Sequence, residues 1–319
     1  IRSGYRIIRK SPAFSLLGND ISISLASELR DMATYDVVHA HSHLYFSTNL
    51  AAFARHFTDT PLALTNHGLY SQSAKKWVFT AYLQTFGRLT FESADVIFCY
   101  TETDRDRLEN IGINSRIAVI RNGIDVSHFT PNASVSFGEP FTILFVGQLV
   151  KGKRPQDVLR ALKKIHSSHP STTLKIVGDG PMRDELESLT NKLGLEKKVV
   201  FEGQLSYDEM PEIYRKSSLL VLPSQTEGFP RTVLEALASG IPVVTSDLPQ
   251  ISNVVSSAGV QVALGNVNEL AEAVTDLLNN PDRLATLGYC GRKIVENNFI
   301  WQGTVAQTTA ELQRIVDEV

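Results

Sequence analysis

Short runs of β-branched and other apolar residues alternate with amphipathic stretches along almost the whole chain. In the first half these runs lie at Asp36–Ala40, Pro61–Thr65, Asp95–Tyr100 and Ile117–Ile120. Helical patterns occur between and after them, at Leu44–Phe57, Lys75–Glu92 and Glu102–Asn110. Strands that alternate with helices form βαβ units, whose parallel sheets are covered by helices. The pattern therefore predicts an α/β protein.

The second half of the chain repeats the pattern with six apolar runs. They are Phe141–Val146, Thr173–Val177, Val199–Gly203, Leu219–Pro223, Pro242–Ser246 and Val260–Leu264. Helical stretches follow nearly all of them, and Pro281–Val319 is helical apart from a break near Asn297–Gln302. Six strands with helical crossovers make a complete Rossmann-like domain, which binds ligands at the carboxyl ends of its strands. The loops after these strands are therefore the candidate site.

One segment, Asn122–Pro140, interrupts the alternation with Asn, Gly, Pro and Ser and has no periodic apolar pattern. A chain of 319 residues is long enough for two domains. We therefore expect one Rossmann-like domain at residues 1–133 and a second at 134–299. The remaining residues, 300–319, are expected to form a helix that packs back on the first domain.

The charge and cysteine content exclude several classes of protein. With 31 Lys and Arg against 34 Asp and Glu, the net charge is -3, so no global basic field is available to bind nucleic acid. The two cysteines, Cys99 and Cys290, lie far apart without neighbouring ligands, which argues against a disulfide framework or a zinc site. No apolar run is long enough to span a bilayer. These features predict a cytoplasmic protein.

The loop after the first strand of the second half reads GQLVKGKR, from Gly147 to Arg154. It matches the front of the P-loop pattern, but Arg154 stands where a P-loop has the Ser or Thr that holds Mg²⁺. The P-loop interpretation is therefore disfavoured. A helix N-terminus, free backbone N–H groups and Lys153 still suit a phosphate or diphosphate. The alternative is a basic turn that faces solvent.

Two further segments at strand ends carry candidate residues. The turn IVGDGP places Gly178 and Gly180 after a strand, which suits contact with a nucleotide or a plain tight turn. The run EGFPRTVLE places Glu227 in a loop and Glu235 inside an otherwise apolar helix. Because a buried unpaired charge is costly, Glu235 needs a partner or ligand, such as vicinal sugar hydroxyls, unless it simply faces solvent.

The EGFPRTVLE run, the GQLVKGK loop and the segment ASGIPVVTS from Ala238 together resemble the C-terminal domain of the GT-B-fold, retaining glycosyltransferases of family four (glycosyl transferases group 1). The first half of the chain carries further motifs that resemble the family, in the same order along the chain. It contains DVVHAHS from Asp36, NHG from Asn66, ADVI from Ala94 and IRNGID from Ile120, with Phe129 beyond. The resemblance covers almost the whole chain and implies two Rossmann-like domains with parallel sheets.

The resemblance implies transfer of a sugar from a nucleotide-diphosphate-sugar donor to a glycan, lipid-linked or small-molecule acceptor, with retained anomeric configuration and without a metal or other cofactor. Glu235 would hold the ribose hydroxyls, Glu227 would face the transferred sugar, and Lys153 would stabilise the leaving diphosphate. His67 would contact the sugar near its reacting carbon, with His39 and His41 as weaker candidates. The implied donor-binding residues are Gly147, Gln148, Lys153, Gly178, Gly180, Gly228, Phe229, Thr232 and Glu235.

Two departures from the family pattern keep other functions open. Gln148 stands where the family has an arginine, so one charged contact to the diphosphate is missing. The strands that precede the DVVHAH strand in relatives are also absent, so we expect a first sheet that lacks its opening strands. The alternatives are a non-catalytic nucleotide-sugar-binding or scaffolding protein, a truncated inactive glycosyltransferase, or an epimerase or phosphorylase on the same fold.

A basic cluster near the start, Arg2, Arg6, Arg9 and Lys10, is interspersed with Tyr5, Ile7 and Ile8. It is either a peripheral membrane contact at the inner membrane face or a solvated basic segment.

Overall fold

The computed structural model describes residues 6–16, 19–69, 76–131 and 140–319. The chain divides into two compact units: unit 1 comprises Ile1–Arg121 and Val305–Val319, and unit 2 comprises Asn122–Thr304. The boundaries therefore lie at 121 and 304, whereas the sequence pattern placed them at 133 and 299. A long-range contact accounts for this difference. Ile124 forms a β-bridge with Ile300, so the residues that follow Arg121 pack with unit 2.

Unit 1 is built on a parallel sheet of four strands, in the order β3-β4-β5-β6. Before it lies a short antiparallel hairpin of β1 and β2. The elements are β1 (Phe14–Leu16), β2 (Asn19–Ile21), α1 (Leu25–Leu29), β3 (Val38–His41), α2 (Phe46–Arg55), β4 (Leu62–Thr65), α3 (Lys76–Tyr82), α4 (Arg88–Glu92), β5 (Val96–Cys99), α5 (Glu102–Asn110) and β6 (Arg116–Val119).

The helix expected over Lys75–Glu92 is interrupted by a π-helical turn, Leu83–Gly87, which separates α3 from α4. Lys75 itself lies outside the described residues. The central strands β4 and β5 are buried along their whole length. They are therefore apolar on both faces, as parallel strands covered by helices must be.

Unit 2 has a parallel sheet of six strands in the order β12-β11-β10-β7-β8-β9. The elements are β7 (Thr142–Val146), α6 (Pro155–Ile165), β8 (Thr173–Val177), α7 (Arg183–Leu193), β9 (Val199–Gly203), α8 (Met210–Arg215), β10 (Leu219–Leu222), α9 (Arg231–Ala238), β11 (Val243–Ser246), α10 (Ser252–Ala258), β12 (Gly259–Val262), α11 (Val267–Leu278) and α12 (Pro281–Asn298). The last helix of the chain is α13 (Trp301–Asp317), which crosses the boundary at 304. The strand order reverses at β7, where such sheets form a ligand-binding crevice. The predicted α/β class is thus confirmed.

The last helix, α13, begins in unit 2 and ends in unit 1. In unit 1 its residues Leu312 and Ile315 pack in an apolar cluster with Val96 and Phe98 of β5. Arg116 and Glu311 form an ion pair of 2.7 Å beside this cluster. No helix in the described ranges has both the length and the apolar character that crossing a membrane requires.

The packing of α12 on unit 2 depends on the absence of two side chains. A Cβ atom at Gly288 would lie 2.0 Å from the carbonyl oxygen of Gly240, just after α9. A Cβ atom at Gly291 would lie 2.5 Å from a methyl carbon of Leu237. The helix can approach this closely only with glycine at these positions.

Replacing Gly288→Ala should therefore lower the free energy of unfolding of unit 2 by at least about 2 kcal/mol, because a backbone carbonyl cannot move aside cheaply. The matched control is Gly303→Ala in α13, where the nearest atom would lie at 3.5 Å. That change should leave stability the same or raise it by about 0.5 kcal/mol, since alanine favours helix. Urea unfolding followed by circular dichroism measures both, and equal stability of the two variants would contradict the packing argument.

Candidate active site

Two loops at the carboxyl end of the unit 2 sheet lie side by side. The amide of Gly147, after β7, donates to the carbonyl of Val177 in β8 at 3.0 Å, and the amide of Leu149 donates to the carbonyl of Asp179 at 3.0 Å. A Cβ atom at Gly178 would lie 2.0 Å from the carbonyl oxygen of Gly147, and its φ is 128°. Glycine at this position therefore allows the two loops to touch.

The loop after β7 ends in a short 3-10 turn, Lys151–Lys153, before α6 begins. Arg154 joins the two with a left-handed backbone at φ 54°. Its Nε donates to Oδ2 of Asp157 at 2.6 Å, and Asp157 is buried. This pairing commits Arg154 to α6, so it does not replace the positive charge that is missing at Gln148. The side chain of Gln148 is exposed and has no hydrogen bond among the described residues.

Lys153 and Glu227 form a second charge pair in this region. The Lys153 Nζ lies 2.6 Å from Oε1 and 2.7 Å from Oε2 of Glu227. The two side chains are 17% and 6% exposed, so the pair is largely shielded from water. The loop that carries Glu227 is also tied to the 3-10 turn, because the amide of Gln225 donates to the carbonyl of Gly152 at 2.8 Å. Folding thus joins two predicted site residues that are distant in sequence.

Glu235 is buried on α9 and does not face solvent as an ordinary helix glutamate would. The hydroxyl of Tyr214 in α8 donates to its Oε2 at 2.8 Å. Burial raises the pKa of Glu235, and the hydrogen bond from Tyr214 acts in the opposite direction. The carboxylate therefore has the partner that its burial requires.

A cavity of about 450 Å³ opens beside Glu235 at the ends of β7, β8 and β9. Four predicted residues line it, namely Gly147, Gln148, Gly178 and Glu235. Its other lining residues were not among those predicted from the sequence; they are Val146, Val177, Asp179, Gln204, Leu205, Tyr207 and Met210. Several of them directly follow β9. Because ligands of such sheets bind at the carboxyl ends of the strands, the position of these residues after a predicted strand could have indicated them.

The other predicted donor-binding residues lie outside the lining of this cavity. Gly180 has a φ of 158°, and a Cβ atom there would lie 2.7 Å from the carbonyl oxygen of Leu149. Phe229 packs against Phe299, with ring centroids 5.4 Å apart. Gly228 is buried beside Glu227, and Thr232 is half-buried in the first turn of α9. The structure thus gives Gly180 and Phe229 packing roles.

His67 lies in unit 1, just after β4, within a group of polar rings. Its Nε2 is 3.2 Å from Nδ1 of His41, and its Nδ1 is 2.9 Å from the hydroxyl of Tyr100. Burial lowers the pKa of both His41 and His67. Burial and the two neighbouring histidines lower the pKa of His39 to about 4. These rings are therefore neutral at pH 7, and Tyr100 is a partner of His67 that the motifs did not reveal.

Among the described residues, no group of three or more His, Cys, Asp or Glu side chains is arranged to hold a metal ion. The charged residues that line the unit 2 cavity are Asp179 and Glu235. Lys153 and Glu227 lie on the loops after β7 and β10, so this end of the sheet offers acceptors for hydroxyls and one cation for an anionic group.

The chain is similar to several known proteins along most of its length. The family model described as "Glycosyl transferases group 1" matches residues 127–294, and the model "Glycosyltransferase Family 4" matches residues 2–128. Glycogen synthase of Mycobacterium tuberculosis is 32% identical over 284 residues, covering 87% of this chain and 68% of the relative. A GDP-mannose-dependent alpha-(1-6)-phosphatidylinositol monomannoside mannosyltransferase of Mycolicibacterium smegmatis is 25% identical, covering 94% and 82%. Anabaena HepE, solved with UDP and glucose, has a TM-score of 0.81 at 20% identity, covering 92% and 82%.

Replacing Lys153→Met should lower the free energy of unfolding of unit 2 by about 3 kcal/mol, because Glu227 is then buried without its partner. Adding Glu227→Gln should recover most of that loss, since the unpaired charge is removed. Lys175→Met is the matched control, because Lys175 pairs with Glu202 at 3.1 Å with both side chains about a quarter exposed, at 25% and 27%. The control should cost less than about 1 kcal/mol. Additive losses in the double variant, measured by urea unfolding, would refute a coupled pair.

Proposed function

The chain belongs to the group 1 glycosyl transferases, and on that premise we propose that it takes its sugar from a nucleotide-diphosphate-sugar donor and retains the anomeric configuration. The resemblance read from the motifs is thereby confirmed, as are the GT-B fold class and the assignment as a glycosyltransferase. For the acceptor we propose a glycan, a lipid-linked sugar or a small molecule. The relatives whose names specify GDP-mannose or a complex with UDP and glucose support a donor of this kind.

The observation that carries the proposal is the cavity of about 450 Å³ that Glu235 lines. Its walls include backbone from two glycine-containing loops, which suits a flat base and a sugar ring. A buried carboxylate accepts two hydroxyl donors, so Glu235 is proposed to hold the vicinal hydroxyls of the ribose. The diphosphate would then lie beside the loop after β7 and at Lys153, where the N-terminus of α6 also favours an anion.

We propose that Lys153 stabilises the charge that develops during transfer. When the bond between the sugar carbon and the phosphate oxygen breaks, negative charge grows on the leaving diphosphate, and an ammonium group offsets it. No metal or cofactor is needed for this step in the proposal. The leaving phosphate oxygen would take the proton of the acceptor hydroxyl on the same face of the sugar, which retains the configuration. Glu227 is proposed to bind hydroxyls of the transferred sugar.

His67 is proposed to contact the transferred sugar near its reacting carbon. Its ring is neutral at pH 7, because burial lowers its pKa. A neutral imidazole has one N–H donor and one acceptor nitrogen, so it can hydrogen-bond a sugar hydroxyl without adding charge. We propose no role in catalysis for His39, whose Nε2 lies 2.7 Å from the hydroxyl of Thr65.

A second candidate function is a nucleotide-sugar-binding protein without turnover. Two observations favour it: Gln148 carries no charge, and Arg154 is committed to Asp157. The nearby charge of Lys153 is moreover balanced by Glu227. A site with so little net positive charge still binds a nucleotide but stabilises a leaving diphosphate less.

The proposal predicts sugar transfer or slow donor hydrolysis that Lys153→Ala and Glu235→Ala each reduce at least about 100-fold, because each removes a contact to the donor. Lys175→Ala, on β8, is the control and should retain activity. A thermal-shift panel of UDP, GDP, ADP and their sugars selects the donor, and coupled detection of the released nucleotide measures turnover. Unchanged activity in both site variants would contradict the assignment, whereas stabilisation by a donor without turnover would favour the binding protein.

We propose further that the protein acts in the cytoplasm and contacts the inner membrane face peripherally. Ile7 and Ile8 are 48% and 41% exposed beside Arg6 and Arg9, a combination that suits anionic lipid surfaces. Lys10 contributes less to the attraction of anionic lipids, because its charge is paired with that of Glu28 at 2.5 Å. Arg2 and Tyr5 of the same cluster lie outside the described residues.

Vesicles rich in phosphatidylserine should therefore bind the protein more strongly than vesicles of phosphatidylcholine alone. The double variant Arg6→Glu/Arg9→Glu should lose most of that difference, because each basic residue contributes about 1 kcal/mol. Lys192→Glu/Lys197→Glu makes the same change in net charge on exposed residues of unit 2 and serves as the control. Equal loss in the two variants, measured by flotation, would show that net charge and not this segment decides binding.

A further inference from the structure

Tyr214 is a fully buried tyrosine whose hydroxyl has a specific partner. Its ring lies in the apolar cluster of unit 2, edge-on to Phe129 with ring centroids 5.8 Å apart. Its hydroxyl donates to Oε2 of Glu235 at 2.8 Å. Tyrosine hydroxyls in a core are usually satisfied by whatever acceptor is near. Here the acceptor is the carboxylate that lines the nucleotide-sized cavity.

The direction of this hydrogen bond is determined by its surroundings. Burial, followed by the nearby Glu235 carboxylate, raises the pKa of Tyr214 well above its ordinary value, so the phenol keeps its proton and acts as the donor. Glu235 is in turn the acceptor through its Oε2. The bond thus favours the ionised form of Glu235 against the effect of burial.

No other side chain in the described part of unit 2 hydrogen-bonds the Glu235 carboxylate. Arg231, on the same helix, attracts it through space but forms no ion pair with it among the described residues. The Arg231 guanidinium instead lies over the ring of Tyr207, 5.9 Å from its centroid. The orientation of the carboxylate therefore depends on Tyr214.

We propose that Tyr214 is a positioning residue that holds the Glu235 carboxylate in the orientation needed to accept the vicinal hydroxyls of a ribose, and that it thereby sets a preference for ribonucleotide over 2'-deoxyribonucleotide donors. An ionised carboxylate offers about four acceptor sites, so one bond from Tyr214 leaves room for two hydroxyls. Holding the side chain in place before the ligand arrives removes part of the entropy cost of binding. This inference rests on the proposed function, since it assumes that the cavity takes a nucleotide.

The experiment compares the binding of UDP and 2'-deoxy-UDP by calorimetry in wild type and Tyr214→Phe, with GDP and 2'-deoxy-GDP used as a second pair. Wild type should prefer the ribonucleotide. Tyr214→Phe should bind the ribonucleotide about tenfold more weakly while binding of the deoxynucleotide changes little, because the lost bond acts on the contact to the hydroxyls. In turnover, KM for the donor should rise while kcat changes less than about twofold.

Two further variants separate positioning from general damage to the core. Tyr289→Phe removes the hydroxyl of an exposed tyrosine in α12 and should leave both affinities unchanged. Removing the Tyr214 hydroxyl in a Glu235→Gln background should not reduce ribose discrimination further, because Tyr214 acts through the ionised carboxylate. This comparison remains informative if Tyr214→Phe alone folds poorly, since the double variant buries no unpaired charge.

The outcomes distinguish this inference from the proposed function. Equal weakening of ribonucleotide and deoxynucleotide binding in Tyr214→Phe would mean that the tyrosine is merely structural, and this would overturn the proposal. Unchanged binding in Tyr214→Phe, with loss of ribose preference in Glu235→Ala, would also overturn it while leaving the proposed function intact. If Glu235→Ala has no effect on either nucleotide, the proposed nucleotide site itself is wrong.

Discussion

The burial of carboxylates in unit 2 is the constraint on which its site depends. Asp157, Glu227 and Glu235 are all buried, and a buried charge without a partner is strongly destabilising. Each one is matched by a different donor, an arginine for Asp157, a lysine for Glu227 and a tyrosine hydroxyl for Glu235. These pairings determine where the cations and acceptors of the site lie. Lys153 is held on the loop after β7, and Glu235 lines the cavity together with residues that follow β7 and β8.

The parallel sheet makes these pairings possible. Because β7 lies between β10 and β8, the loops that follow these three strands converge at one edge of the sheet. The loop after β7 carries Lys153 and the loop after β10 carries Glu227, so two residues far apart in sequence meet at 2.6 Å. Gly178 completes the arrangement, since any side chain there would collide with the backbone of Gly147. Strand order and one small residue thus bring the charged groups together.

Much of the fold could be predicted because its signals are local. The strands β8 and β9 and the helix α5 have the predicted bounds, since their apolar patterns are contained within each segment. The sequence did not predict the Ile124–Ile300 bridge of unit 2, because this bridge joins residues distant in sequence. Part of the cavity lining was missed for a related reason: Gln204, Leu205, Tyr207 and Met210 form no recognisable motif and acquire a shared surface only when β9 packs beside β8.

The sequence by itself determined the fold class, the family and the identity of the acidic and basic residues in the candidate site, because these depend on residue types at short spacings. Only the tertiary structure decided how those residues are paired. It joined Lys153 to Glu227 and brought the hydroxyl of Tyr214 to the carboxylate of Glu235. The physical reason is that a hydrogen bond or ion pair depends on ångström-scale distances between atoms, and those distances are created by packing elements that are remote along the chain.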